Sequence, residues 1–106
     1  MNLLFICSRN QWRSPTAEKI FNVFPHYAKS AGTSSSARIK ATEKLIVWAD
    51  LVFVMEKKHR NILHEKFNLP LADKKIIVLG IPDNYQYMDE ELVEMLEVLV
   101  NPYLLP

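Results

Sequence analysis

Residues 3–15 of this chain read LLFICSRNQWRSP and hold a cysteine and an arginine at the two ends of a short loop. The continuous apolar run 3–6 is typical of a buried strand in a parallel sheet. Cys7 follows this run directly, and Arg13 comes six positions later. Pro15 suits the first turn of a helix, where its missing N–H has no cost. The stretch therefore predicts a strand, a loop and a helix, with Cys7 at the carboxyl end of the strand.

Strand and helix signals continue to alternate along the rest of the chain. Further strands are predicted over 27–30, 51–55 and 76–79, and helices over 15–24, 43–48, 57–67 (ended by Asn68 and Pro70) and from Asp89 to a limit at Pro102. Such alternation indicates parallel βαβ units. We expect an α/β fold with three α/β/α layers and a four-stranded parallel sheet, built as one domain over residues 1–106. In such sheets the ligand site lies at the carboxyl ends of the strands.

Composition excludes several classes of function. The 106 residues carry a net charge of +1, which gives no bulk attraction for nucleic acid or an anionic membrane. The apolar start is too short for a signal peptide, and no apolar run is long enough for a membrane span. A single cysteine excludes an internal disulfide framework and fits a reducing compartment, so we expect a cytoplasmic protein.

The Cys-x5-Arg loop, residues 7–13, has the composition of a phosphate site. Backbone N–H groups of a loop that enters a helix can surround a phosphate, and the helix N-terminus adds positive potential. The expected phosphate-binding residues are Ser8, Arg9, Asn10, Gln11, Trp12 and Arg13. The Arg13 fork can hold two oxygens, and the same field favours a thiolate nucleophile at Cys7. Ser14 can donate its hydroxyl to that sulfur.

Other polar and aromatic residues leave alternatives open. Asp83 follows the last predicted strand and can face Cys7 across one crevice, although a turn aspartate is the plain alternative. Trp12, Tyr85 and Tyr87 are candidates for the wall of a substrate pocket; the two tyrosines could instead clasp a loop. The histidines lack metal-site spacing, so no metal site is expected, and His59 is expected on a helix surface. Arg38 is either solvated or beside the pocket.

At these residues the chain resembles the low-molecular-weight protein tyrosine phosphatase family. The matching segments are Asn10 and Arg13-Ser14-Pro15 of the loop, Ala17-Glu18, Ser30-Ala31-Gly32-Thr33, Ala49-Asp50-Leu51-Val52, Met55, and Pro82-Asp83 with Tyr85. The resemblance implies a four-stranded parallel sheet, no metal or other cofactor, and a cysteinyl-phosphate intermediate. It also implies that Asp83 is the general acid and base and that Asn10 holds the loop in shape.

Three residues depart from the family pattern. Arg9 stands where the family usually has glycine, so a positive φ there would strain the backbone. Trp12 occupies the position at which many members carry a second, protecting cysteine. Asn84 replaces the proline of the acid loop. Arg9 could also add positive charge at the pocket mouth.

The predicted function is phosphomonoester hydrolysis, with a phosphotyrosine protein or a small aryl phosphate as substrate and phosphate or sulfate as a ligand of the loop. Arsenate reduction on the same fold is an alternative, but this chain lacks the further cysteines that resolve the intermediate. A phosphocysteine carrier would not need Arg13 or Asp83. A non-catalytic module that binds phosphate or a phosphoprotein is the remaining alternative. The sequence assigns no oligomeric state.

Overall fold

Parallel strands form one sheet in the computed structural model, which describes residues 1–68 and 73–105. The strands are β1 (Asn2–Cys7), β2 (Tyr27–Gly32), β3 (Leu51–Val54) and β4 (Lys75–Val78), in the spatial order β2-β1-β3-β4. β1 lies at the centre, where residue 7 pairs with residue 32 of β2 and residue 6 with residue 54 of β3. The predicted four-stranded parallel sheet is confirmed.

Helices cover both faces of this sheet. They are α1 (Arg13–Phe21), α2 (Glu43–Trp48), α3 (Lys57–Lys66) and α4 (Glu90–Leu104). Side chains alternate along β1, so Leu3, Phe5 and Cys7 pack with α1 and α4 while Leu4 and Ile6 pack with α2 and α3. The predicted three-layer α/β/α architecture is therefore confirmed, and Cys7 belongs to the face that α1 covers.

The core immediately behind the loop is aromatic. The ring of Phe5 stacks on Phe21 and Phe53, with centroid separations of 5.5 and 5.1 Å. Phe5 and Phe53 are fully buried. Such stacked pairs add about 0.5–1.5 kcal/mol each to the free energy of area burial. The strand that carries Cys7 is consequently fixed two residues before the cysteine.

Two helix boundaries predicted from the sequence are wrong. α1 ends at Phe21 rather than beside Pro25, and Phe24 is 89% exposed. The side chain of Asn22 accepts a bond from the Ala28 N–H, which turns the chain toward β2 before another helical turn can form.

The last helix continues past the limit predicted at Pro102. α4 runs to Leu104. Pro102 removes only one helical hydrogen bond, and because this loss falls in the exposed final turn, the helix can continue past it. Thr42 and Asp89 cap α2 and α4 as predicted. The predicted stop at Pro70 lies outside the described residues. Within the described ranges, no helix has the length and apolar character needed to cross a bilayer.

Candidate active site

Hydrogen bonds from the segment that follows β2 fix the direction in which the peptide groups of the loop 7–13 point. The carbonyls of residues 7, 8 and 9 accept bonds of 2.9–3.0 Å from the backbone N–H groups of Thr33, Ser34 and Arg38. Arg38 also donates its Nε to the carbonyl of Asn10 at 3.1 Å. The carbonyl of Trp12 accepts from Thr16 N–H within α1. These bonds turn the loop carbonyls outward.

The N–H groups of the loop are left for a ligand. Among the described residues, none of the backbone N–H groups of residues 8–12 has a hydrogen-bond partner. Trp12, the N-cap of α1, supplies no side-chain cap, so the positive end of the helix is open as well. A cavity of about 120 Å³ lies here, lined by Cys7, Ser8, Arg9, Gln11, Trp12, Arg13 and Asp83. Unpaired N–H groups around a small cavity form an anion site.

A buried chain of hydrogen bonds supports the nucleophile position. Asn10 donates Nδ2 to the hydroxyls of Ser14 (2.9 Å) and Ser30 (2.8 Å), and Ser30 in turn donates to Glu18. Since an amide nitrogen can only donate, Ser14 must accept from Asn10 and keeps its own proton to donate. Its oxygen lies 3.0 Å from the sulfur of Cys7 and 3.4 Å from the carbonyl oxygen of Ala31, so the sulfur is the nearer acceptor. Ser14 can therefore stabilise a negatively charged sulfur.

Asn10 takes up this position at a cost to stability. Its φ is +57°, in the left-handed region that asparagine tolerates better than most residues. Its Oδ1 is buried and has no partner among the described residues. A buried acceptor of this kind costs about 1–3 kcal/mol. Asn10 therefore keeps the loop in shape through its two Nδ2 hydrogen bonds, although its own φ and its unpaired Oδ1 are unfavourable.

Arg13 is anchored by residues that follow β3 and β4. One terminal nitrogen of its guanidinium lies 2.5 Å from Oε1 of Glu56, after β3, and donates to the carbonyl of Ile81 at 2.8 Å, after β4. Its Nε lies 3.6 Å from Asp83 Oδ1. Burial alone raises the pKa of Glu56, but the hydrogen bond and charge of Arg13 more than offset it, so this pKa is lowered. Arg13 itself is almost fully buried.

Gly32 allows β2 to approach the loop. A Cβ at this position would lie 2.4 Å from the carbonyl oxygen of Ser8 and 2.7 Å from the Cβ of Ala37. A Cβ atom does not make contacts this short, so any side chain here would displace the loop or the segment behind it. The close approach also brings the N–H groups of residues 33 and 34 to the loop carbonyls.

His59 forms a second support under the loop. Its Nε2 lies 2.8 Å from the hydroxyl of Ser8, and its Nδ1 accepts the backbone N–H of Glu56 at 3.0 Å. The side chain is fully buried. Burial, together with the positive charge of Arg13, lowers the pKa of His59 to about 4. The imidazole is therefore neutral at physiological pH.

A larger groove of about 520 Å³ adjoins the cavity at Gln11 and is lined by Gln11, Pro15, Glu18, Lys19, Asn22, Arg38 and Tyr87. It extends along α1 and away from Cys7. Within residues 1–68 and 73–105, no group of three or more His, Cys, Asp or Glu side chains is arranged to hold a metal ion.

Solved structures share this architecture over almost their whole length. A low-molecular-weight protein tyrosine phosphatase from T. tengcongensis is 26% identical, with a TM-score of 0.70 over 95% of this chain and 93% of that one. The tyrosine phosphatase Wzb from Escherichia coli K30, in complex with phosphate, is 24% identical, with a TM-score of 0.74 over 96% and 94%. The YwlE arginine phosphatase from Geobacillus stearothermophilus is 18% identical, with a TM-score of 0.72 over 97% and 92%. The chain has the low-molecular-weight protein tyrosine phosphatase fold.

The resemblance predicted from sequence is confirmed at the level of this fold, and the matches support the predicted phosphatase activity. Neither a protein-family model nor a curated protein sequence matches the chain significantly.

The residues expected around the phosphate line the cavity with one exception, Asn10, whose buried side chain binds Ser14 and Ser30 behind the loop. The structure brings Asp83 to the same cavity as Cys7, although 76 positions separate them. The exposed side chain of Arg9 lines the cavity, and its backbone avoids strain because the positive φ falls on Asn10 instead. Trp12 stands at the cavity with 43% of its surface exposed.

The two tyrosines lie elsewhere. Tyr85 packs against the core and donates its hydroxyl to the sulfur of Met95 at 3.4 Å. Tyr87 lines the adjoining groove rather than the cavity. Trp12 is therefore the aromatic residue, of the three predicted for the pocket wall, that borders the cavity.

Sequence reasoning missed one residue of the site, Glu56, and misplaced another, His59. His59 was expected on a helix surface, which is wrong, because it is fully buried against Ser8 and the start of α3. Glu56 was not singled out as a partner of Arg13. A usable signal was available: Glu56 and His59 follow a buried strand and are three residues apart, which is the spacing of a capping box.

Proposed function

We propose that this protein is a cysteine-dependent phosphomonoester hydrolase, a protein tyrosine phosphatase acting on phosphotyrosine proteins or small aryl phosphates. One observation carries this proposal: the loop around Cys7 turns its carbonyls outward and leaves the N–H groups of residues 8–12 unpaired among the described residues. A trigonal-bipyramidal phosphoryl group carries its negative charge on equatorial oxygens, which such donors stabilise.

In the first step, the sulfur of Cys7 attacks phosphorus and the bond to the ester oxygen breaks. Asp83 donates a proton to the departing oxygen, which leaves as the alcohol or phenol. Arg13 holds phosphoryl oxygens with the guanidinium nitrogens that Glu56 and Ile81 do not occupy. The product is an S-phosphocysteine at Cys7.

In the second step, water attacks the phosphorus of this intermediate. The deprotonated Asp83 takes a proton from the water, the sulfur–phosphorus bond breaks, and the electron pair returns to the sulfur of Cys7. Ser14 donates to the leaving sulfur, from which its oxygen is 3.0 Å away. Inorganic phosphate is released, and Asp83 is again protonated for the next cycle.

Trp12 supports an aryl substrate, because an exposed indole at the cavity gives a flat apolar surface for a ring. Phosphate or sulfate is the ligand proposed for the loop 7–13. A nucleophilic cysteine requires a reducing environment, so we propose a cytoplasmic location.

Hydrolysis of p-nitrophenyl phosphate, measured in the presence of chelator, tests the proposal. The native protein is expected to turn over and Cys7→Ser to be inactive while keeping its fold by circular dichroism. Activity in Cys7→Ser would refute the mechanism. A folded, reduced native protein without turnover would leave the non-catalytic phosphate-binding module as the function. Phosphotyrosine and phosphoarginine peptides, compared on the active protein, then decide the substrate class.

A further inference from the structure

The hydrogen bonds of His59 determine which ring nitrogen carries the proton. The backbone N–H of Glu56 can only donate, so Nδ1, at 3.0 Å, must be the acceptor. In a neutral imidazole the proton then resides on Nε2. Nε2 lies 2.8 Å from the hydroxyl oxygen of Ser8 and therefore donates to it.

This direction of donation excludes a serine nucleophile. A histidine that activates serine must accept the hydroxyl proton, whereas Nε2 of His59 already holds one. The oxygen of Ser8 instead accepts a hydrogen bond from Nε2 of His59 and retains its own hydrogen. In the described residues the hydroxyl of Ser8 has His59 as its side-chain partner, and Ser8 lines the cavity over Cys7.

The acceptor for the Ser8 hydroxyl hydrogen can be inferred by asking which group in the cavity still lacks a side-chain donor. The sulfur of Cys7 has Ser14 at 3.0 Å, supported from behind by Asn10. The Ser8 hydroxyl is then available for an oxygen of the bound group. The two hydroxyls therefore have parallel roles. Ser14 accepts from Asn10 and donates to the sulfur of Cys7, and Ser8 accepts from His59 and can donate to a phosphoryl oxygen.

We propose that His59 is a positioning residue that fixes the Ser8 hydroxyl as a hydrogen-bond donor to a phosphoryl oxygen in the cavity. The inference rests on the proposed phosphatase function. It makes α3 part of the phosphate site, through the chain Glu56 N–H to His59 to Ser8. A hydroxyl whose direction is fixed loses no rotational freedom when the phosphoryl group arrives, so its bond is stronger than that of a free rotor.

Two substitutions of His59 separate the two ring nitrogens. His59→Asn retains an acceptor near the position of Nδ1 for the Glu56 N–H but has no donor that reaches Ser8. His59→Gln retains a donor near the position of Nε2 but loses that acceptor. His64→Asn, at an exposed position of the same helix, is the matched control.

Calorimetry with vanadate and with inorganic phosphate measures the affinity of the loop for an oxyanion and does not require turnover. Ser8→Ala is expected to weaken vanadate binding about tenfold, as for one hydrogen bond to a charged group. Ser8→Thr, which keeps the hydroxyl, should recover most of the affinity. His59→Asn should weaken binding several-fold, His59→Gln less, and His64→Asn not at all.

The double variant provides the decisive comparison. If His59 acts through Ser8, adding His59→Asn to Ser8→Ala should change vanadate affinity by less than about twofold, because the group that His59 orients is already absent. Equal losses from His59→Asn in both backgrounds would overturn the proposal, as would unchanged vanadate affinity in Ser8→Ala. The ¹⁵N shifts of the His59 ring must also report the Nε2–H tautomer; the Nδ1–H form would contradict it.

These outcomes are distinct from failure of the proposed function. A native protein that binds vanadate without hydrolysing p-nitrophenyl phosphate would refute the phosphatase and still allow the Ser8–His59 comparison. A native protein that hydrolyses the ester with no dependence on Ser8 would refute the positioning role alone.

Discussion

The guanidinium of Arg13 and the carboxylate of Glu56 lie 2.5 Å apart, although the two residues belong to different βα connections. Arg13 is 2% exposed and Glu56 31% exposed, so the arginine is buried while the carboxylate keeps part of its contact with solvent. Glu56 is also the N-cap of α3. Glu56 thus orients the phosphate-binding arginine through its carboxylate, and its backbone N–H binds Nδ1 of His59 at the start of α3.

Glu56→Ala should destabilise the protein by about 2–4 kcal/mol, because it leaves the buried guanidinium with only the exposed Asp83, 3.6 Å away, as a counter-charge. Glu56→Gln should cost less, since its amide oxygen still accepts hydrogen bonds. Urea denaturation measures both free energies of unfolding. Lys58→Ala removes an exposed charge 3.9 Å from the same carboxylate and should change stability by less than about 0.5 kcal/mol. A loss in Glu56→Ala no larger than that of Lys58→Ala would contradict the structural role of the pair.

The stability of the protein should depend on pH through His59. Its pKa is lowered from 6.5 to about 4 in the folded state, so the unfolded chain binds more protons between these values. The free energy of unfolding therefore rises with pH over this window; the contribution is complete above 6.5 and lost as pH falls toward 4. The loss from this residue is at most about 3–4 kcal/mol. Below pH 4.5, protonation of Glu56, whose pKa is also lowered, adds to the loss.

Denaturant unfolding at a series of pH values measures this slope. His59→Asn should flatten it between pH 6.5 and 4.5, whereas the exposed His64→Asn should leave it unchanged. The same steepness in native protein and His59→Asn would assign the pH dependence to other groups.

Asp83→Asn should reduce hydrolysis most for substrates with poor leaving groups, because only these need a proton as the ester bond breaks. For phenyl phosphate we expect a loss of about 10²–10⁴ in the rate of the first step, and a much smaller loss for p-nitrophenyl phosphate. Burst-phase kinetics isolates that step. Asparagine keeps an oxygen near the Nε of Arg13, which limits disturbance of the arginine. Equal losses across leaving groups would rule out the general-acid role.

Gly32→Ala should disrupt the loop, because the added Cβ would lie 2.4 Å from the Ser8 carbonyl oxygen. We expect a destabilisation of about 3 kcal/mol or more and a large loss of vanadate affinity. Gly80→Ala is the informative comparison: its φ of +72° makes alanine strained by about 1–2 kcal/mol, yet a Cβ there meets no atom within 4 Å. Comparable vanadate affinity in the two variants would show that β2 does not need to approach the loop so closely.

The sheet and the loop could be predicted from sequence because both depend on local patterns. Apolar runs define the strands, and the Cys-x5-Arg spacing before Pro15 defines the loop and its helix. The position of Asp83 was also predictable, since the carboxyl ends of parallel strands meet at one edge.

The partners of the loop were not predictable in the same way. Glu56 and His59 act through tertiary contacts with residues more than 40 positions away. Glutamate is a residue type that is usually exposed, and histidine is only intermediate in its tendency to be buried. Tyr85 was misplaced for the related reason that an aromatic residue in a loop can pack against the core as readily as it can border a ligand site.

The anchoring of Arg13 ties the phosphate site to completion of the whole sheet. Its two firm contacts come from Glu56, after β3, and Ile81, after β4, so a chain that has formed only β1, α1 and β2 would have the loop but a disoriented arginine. Affinity for an oxyanion should therefore emerge last during refolding, once the outermost strand has docked. A fragment that contains the loop alone would be a poor mimic of the protein, and oxyanion binding would report on the integrity of the sheet as sensitively as any spectroscopic probe of folding.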